Sequence, residues 1–123
     1  MAADAILIVD DNPINLKLLR LTLEVEGYGV RTAVDAEQAL ATLATFHPRL
    51  ILMDLQLPGM DGLDLTRRLK ASGCNAIIVA VTAYAMKGDD ERARLAGCDG
   101  YITKPIDTRT LGAVIEHYLG GGR

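Results

Sequence analysis

The stretch Ala5-Ile6-Leu7-Ile8-Val9-Asp10-Asp11-Asn12-Pro13 decides the fold, because an unbroken apolar run stops abruptly at two acids and a turn. An apolar run of this length marks a strand covered on both faces, as in a parallel sheet sandwiched by helices. Adjacent side chains of a strand point to opposite faces, so Asp10 and Asp11 converge only where the strand has ended. Asn12-Pro13 supplies that ending, since proline presets φ and steers the preceding residue away from helix. The same order recurs at Leu50 to Met53, followed by Asp54 and the turn-rich Leu55 to Asp61. It recurs again at Gly100 to Thr103, followed by Lys104-Pro105. The intervals suit strand and helix in alternation, a parallel α/β domain whose ligands gather at the strand C-termini.

Working outward, apolar runs alternate with helical patterns along the whole chain. Ala76 to Val81 joins the first two runs as a central strand, while Gly29 to Ala33 and Gly100 to Thr103 are more polar and belong nearer the edges. Ala36, Ala39, Leu40, Leu43 and Ala44 repeat at helical spacing, as do Leu111, Val114, Ile115, Tyr118 and Leu119. Asp35 and Asp107 are placed to cap helix N-termini, Gly27 and Gly73 to end helices, and Pro48 to separate the second helix from the third strand. The first helix carries two apolar stripes on nearly opposite sides. Leu16, Leu19 and Leu23 form one; Ile14, Leu18, Leu21 and Val25 form the other, which cannot be buried on the same sheet.

A chain of 123 residues, 50% hydrophobic and 24% charged, accommodates one domain over 1–123. Its Gly120-Gly121-Gly122-Arg123 tail is expected to fray. A net charge of -3 argues against a nucleic-acid surface. No apolar stretch approaches the roughly 20 residues that span a bilayer, and the N-terminus has no signal-peptide pattern, so the expected compartment is the cytoplasm. Cys74 and Cys98 lie far apart without a CxxC pattern or a neighbouring His, which argues for free thiols rather than zinc or a disulfide. His47 and His117 stand alone and are expected to be solvated. The run Lys87 to Arg94 reads as a helix N-terminus with acids first and arginine later.

Asp10, Asp11 and Asp54 brought to one sheet edge would repel one another by several kcal/mol at an intermediate dielectric constant unless a cation compensates. Magnesium suits them: it is hard, prefers oxygen and keeps several waters, so two carboxylates and one backbone carbonyl are sufficient protein. Taken singly, each Asp is an ordinary turn former or helix cap. The three together with Lys104 are a metal and phosphoryl site.

The set Asp10-Asp11, Asp54, Thr82 and Lys104-Pro105 resembles the receiver domain of two-component response regulators over nearly the whole chain, from about Ala5 to Leu119. DDNPINLKLLRLTLEVEGY, MDLQLPGMDGLDL and VAVTAYAMKGDDERARLAGCDGYITKPI are similar to single-domain receivers of the DivK type and to receivers attached to hybrid histidine kinases. The resemblance implies a CheY-like, flavodoxin-like doubly wound (βα)5 domain, its parallel five-stranded sheet ordered 2-1-3-4-5. It implies a phosphoprotein rather than an enzyme, in which Asp54 takes a phosphoryl group from phosphohistidine and loses it slowly. Asp11, Asp54 and the Gln56 main-chain carbonyl would hold Mg²⁺, with Asp10 acting through water. Lys104 would pair with a phosphoryl oxygen, and the Lys104-Pro105 bond is expected to be cis.

Thr82 and Tyr101 are, by the same resemblance, the switch that carries the local charge to a surface made by the fourth helix, fifth strand and fifth helix, including Lys87 to Ala96. Ala83 is small enough for the phosphoryl group to approach its backbone. Gln56 and Tyr84 flank the path of an attacking water, and Tyr84 is expected to slow hydrolysis. Ile14, Asn15, Leu18, Pro105 and Ile106 are assigned to docking a histidine kinase or histidine phosphotransferase, with Leu21 and Val25 extending the patch or supporting a weak dimer of an otherwise monomeric protein. Met1 just ahead of the first strand, and a chain that stops soon after the last helix, favour a receiver without an output domain. A phosphorelay intermediate and a receiver cut from a hybrid kinase are the nearest alternatives. A Mg²⁺-dependent aspartyl-phosphate phosphohydrolase is the different class, though it lacks the DxD pattern and cap domain of enzymes resembling haloacid dehalogenases.

Overall fold

The computed structural model describes residues 4–82 and 89–121. Five strands, β1 (Ala5–Val9), β2 (Gly29–Ala33), β3 (Leu50–Asp54), β4 (Ile77–Thr82) and β5 (Gly100–Thr103), alternate with five helices. The helices are α1 (Pro13–Val25), α2 (Ala36–Leu43), α3 (Gly62–Ala71), α4 (Asp89–Ala96) and α5 (Thr108–Glu116), and a π-helical turn, His117–Gly121, extends the last. The sheet is parallel throughout, in the order β2-β1-β3-β4-β5. The two polar strands take the edges.

Period-two alternation divides the apolar strand residues between two cores. Leu7, Val9, Ile51, Met53, Ile78 and Ala80 meet Ala36 and Ala39 of α2, Leu63, Leu65 and Leu69 of α3, and Ala93 and Ala96 of α4. Ile6, Ile8, Leu50, Leu52, Val79 and Val81 meet Leu16, Leu19 and Leu23 of α1 and Leu111 and Ile115 of α5. Both sheet faces are covered, which is why the central strands need uninterrupted apolar runs.

Local signals act as the sequence suggests. Asp35 accepts from Gln38 N–H at 2.8 Å and Asp107 from Arg109 N–H at 2.9 Å, capping α2 and α5. Gly27 and Gly73 follow α1 and α3 at φ 98° and 88°, the left-handed geometry that ends a helix. Asn12 does more than turn the chain, since its side chain accepts from Ile14 N–H at 2.9 Å and caps α1. Ala44 departs from its expected place in the α2 stripe: it is exposed, and α2 stops at Leu43 with the Ala44 N–H donating back to Ala41 as the chain tightens toward buried Pro48. His47 and His117 are exposed, and both cysteines are free thiols. Gly120 sits at φ 98° within the terminal turn. Among the described residues no helix is long and apolar enough to cross a membrane.

Candidate functional site

Sheet order creates the site. The β1 connection leads to one side of the sheet and the β3 connection to the other, so a crevice opens beyond the C-terminal ends of β1 and β3. In the β1–β3 register Val9 lies opposite Met53. One step further, where both apolar runs give out, stand Asp10 and Asp54. On the other side of β3, Asp54 lies opposite Val81, which places buried Thr82 at the end of the neighbouring strand. Thr82 in turn pairs with Thr103, and the next residue is Lys104. Three strand ends and one loop thus bring together groups spread over most of the chain.

Asp10, Asp11 and Asp54 each offer a carboxylate oxygen, and these oxygens lie within 4.8 Å of one another. Asp10 and Asp54 are each only 2% exposed, whereas Asp11 opens to solvent. Asp10 accepts from Asn12 N–H at 2.9 Å and Asp54 from Gln56 N–H at 2.9 Å, so each carboxylate is fixed by the turn that follows it. The Lys104 ammonium donates to Asp54 at 3.0 Å and lies 3.5 Å from Asp10. The Lys104-Pro105 bond is cis.

One half-buried cation shared by two buried carboxylates leaves surplus negative charge. Burial pushes the Asp54 carboxyl above the usual aspartate range; the Gln56 N–H and Lys104 pull it down, and the Asp10 charge adds to the rise. For Lys104 the balance differs. Burial alone would lower it, but the Asp54 hydrogen bond and the charges of Asp54 and Asp10 hold its ammonium above the usual lysine range. Hard oxygen donors, one carboxylate facing solvent and an excess of negative charge are the donor chemistry of magnesium. The acidic cluster fits a Mg²⁺ site.

Gln56 is exposed in the loop after β3, and Tyr101 is half-buried against the α2–α4 core. Ile14 and Leu18 are 77% and 50% exposed, and Leu21 and Val25 continue the same outward stripe at 46% and 86%. A cleft of about 330 Å³ adjoins the acidic cluster, lined by Asp10, Asn15, Leu18, Lys104, Pro105 and Ile106 among others. Four of the residues expected to dock a partner therefore border the site itself. Ala83, Tyr84 and Lys87 lie outside the described residues.

Two features escape sequence reasoning. Asp61 caps α3, accepting from Leu63 N–H at 2.8 Å, though its place in a turn-rich loop followed by a leucine-bearing run could have signalled it. Gly62 packs directly on the main chain of Asp54 and Leu55. A glycine after an aspartate reads as a turn, and no local pattern separates that from a close approach.

The model of the response regulator receiver domain matches residues 6–116. Among curated proteins, the polar-differentiation response regulator DivK of Brucella ovis is 43% identical over 118 residues, covering 94% of this chain and 96% of that protein. A CheY-like receiver domain protein from Methanospirillum hungatei superposes with a TM-score of 0.89 at 34% identity, covering 97% of this chain and 95% of that one. The receiver domain of a sensor histidine kinase from Pseudomonas aeruginosa, solved with a magnesium ion coordinated in its active-site cleft, gives a TM-score of 0.86 at 34% identity, covering 97% of this chain and 99% of that one. Sequence, sheet order and acidic crevice agree: the chain belongs to the response regulator receiver domain family of two-component systems.

Proposed function

We propose that this chain is a phosphorylation-controlled switch whose phosphoacceptor is Asp54. The observation that carries the reading is a carboxylate 2% exposed, 3.0 Å from a lysine and clustered with two further carboxylates at the sheet's switch point. A carboxylate is a weak nucleophile, so such a site works by positioning and by neutralising charge on the transferring group. An Asp54 oxygen attacks the phosphorus of a phosphohistidine. The O–P bond forms as the N–P bond breaks, and the departing imidazole nitrogen keeps the electron pair. Lys104, already aimed at Asp54, pairs with a phosphoryl oxygen. Asp11, Asp54 and the Gln56 carbonyl would hold Mg²⁺ directly and Asp10 through water; the bound ion would neutralise phosphoryl charge.

Thr82, one residue beyond the partner of Asp54 in the sheet, and Tyr101 on the next strand convert the new charge into a changed surface over α4, β5 and α5. Exposed Gln56, with Tyr84, tunes loss of the phosphoryl group to water. Ile14, Asn15, Leu18, Pro105 and Ile106 receive the histidine-bearing partner, a kinase or a phosphotransferase. Likeness to DivK, itself a response regulator, supports the switch as the first reading. Likeness to a histidine kinase's receiver keeps the relay role as the second reading. A cytoplasmic setting suits two free thiols, one of them buried.

The test is incubation with a phosphorylated histidine donor and Mg²⁺, read by intact mass. The wild type should gain one phosphoryl group and Asp54→Asn none. Continuous release of phosphate from small phosphate esters would instead identify a phosphohydrolase.

A further inference from the structure

Gly62, the first residue of α3, lacks a side chain for a steric reason. It is absent from the positive-φ glycines, so backbone conformation does not demand glycine there. A Cβ at this position would collide with the main-chain oxygen of Asp54 and stand 2.8 Å from Leu55 Cα and 3.1 Å from the Asp54 carbonyl carbon. All three obstacles are backbone, which cannot swing aside as a side chain can. The Gly62 N–H also donates to the Leu55 carbonyl at 3.3 Å.

Two further contacts hold that junction. The fully buried Thr66 hydroxyl donates to the Gly62 carbonyl at 2.8 Å, and the Cys98 thiol lies 3.8 Å from the same hydroxyl. From the opposite side, Leu55 N–H donates to Val81 of β4 at 3.0 Å. The main chain of Asp54 and Leu55 is therefore clamped between β4 and the N-terminus of α3. Gln56 follows immediately, and its carbonyl is the proposed main-chain ligand.

We infer that Gly62, held by Thr66, is a positioning residue for the Mg²⁺ and phosphoryl site, fixing where the Asp54 carboxylate and Gln56 carbonyl stand relative to Asp11. This deepens the proposed function and rests on its metal site. Magnesium demands near-octahedral geometry, and misplacement by about 1 Å can cost on the order of 100-fold in a positioned reaction.

The experiment measures Mg²⁺ affinity by calorimetric titration, and the initial rate of phosphorylation by a small acyl phosphate, in folded Gly62→Ala. Leu69→Ala is the control, since it removes core packing from the same helix seven positions beyond Gly62. Gly62→Ala should weaken Mg²⁺ binding by about 10-fold or more and slow phosphorylation by about 100-fold, while Leu69→Ala keeps wild-type Mg²⁺ affinity. Wild-type affinity in folded Gly62→Ala, or an equal loss in Leu69→Ala, overturns the inference. Should Gly62→Ala not fold, Thr66→Val takes its place: weakened Mg²⁺ binding, restored by Thr66→Ser, upholds the inference, and unchanged binding overturns it. A wild type that binds no Mg²⁺ sinks the proposed function as well, which separates the two failures.

Discussion

Lys104 and Lys70 each hold an aspartate, at 3.0 Å and 3.1 Å, at opposite ends of the same sheet, yet they do different things. Lys70, near the end of α3, meets Asp99 just before β5. Its partner is 44% exposed and also accepts from Ile78 N–H at 2.9 Å, so that carboxylate ties β4, β5 and α3 together. One positive and one negative charge balance in water's reach. Lys104 faces two carboxylates whose side chains are only 3% and 2% exposed, with Asp11 beside them. Chemistry of the pair is alike at both ends. What distinguishes a site from a strut is burial combined with unbalanced charge, because only the unbalanced end gains by taking up another cation.

The sharpest way to break this comparison is to remove each lysine in turn. Lys104→Met leaves two buried carboxylates facing each other, and the metal-free protein should lose about 3 kcal/mol near neutral pH, the lower part of the range for an orphaned buried charge because Lys104 itself keeps some exposure. Lys70→Met should cost less than about 1 kcal/mol, as for other solvent-screened pairs. Urea unfolding in a chelator measures both. Equal losses would mean that the two ends are energetically the same.

Magnesium should sharpen the contrast next. A ligand that binds only the folded state stabilises it by about 2.7 kcal/mol at one hundred times its dissociation constant. Added Mg²⁺ should raise the unfolding midpoint of the wild type and of Lys70→Met alike, and Asp54→Asn should lose most of that gain. A smaller effect is expected from Asp99→Ala, about 1 kcal/mol from the lost Ile78 and Lys70 contacts, with Mg²⁺ affinity unchanged in titration. Coupling between Asp99 and the metal would contradict the division into strut and site.

The two ends also differ in how far the amino-acid sequence discloses them. Strand ends at Asp10, Asp54 and Lys104 are legible because apolar runs of strand length stop there, and the resemblance to receivers adds the roles. The register that sets Asp10 beside Asp54 is not legible, since parallel pairing is fixed by tertiary packing and leaves no local mark. Nor is Lys70 with Asp99, two surface-type residues 29 positions apart. α4 is weak as a pattern because, among its described side chains, only Ala93 and Ala96 bury on the sheet while Leu95 is 76% exposed, so the polar run around them hides the helical period. Gly62 is hidden for another reason: its role depends on a backbone eight positions earlier, and a missing side chain has no periodicity.

The finest distinction is in pH. In metal-free protein, burial raises the folded-state Asp54 pKa above its ordinary value of 3.8, against the pull of Gln56 and Lys104 and with the help of Asp10. The folded state then holds this proton more firmly than the unfolded chain, so Asp54 makes stability fall as pH rises from about 3.8 through the raised value. Lys104 has the opposite charge and the same direction of shift: burial would lower it, but Asp54 and Asp10 raise it above 10.5. Its contribution is fully present below pH 10.5 and is lost as pH climbs through the raised value. Denaturant titrations across pH in a chelator should show the Asp54 fall in the wild type and in Asp99→Asn, and not in Asp54→Asn. With Mg²⁺ present the Asp54 contribution should reverse, because the proposed ion would bind the ionised carboxylate and its affinity would grow as the proton leaves. An acidic-side slope that survives in Asp54→Asn would assign the excess charge to another group and remove the electrostatic reason for setting this end of the sheet apart.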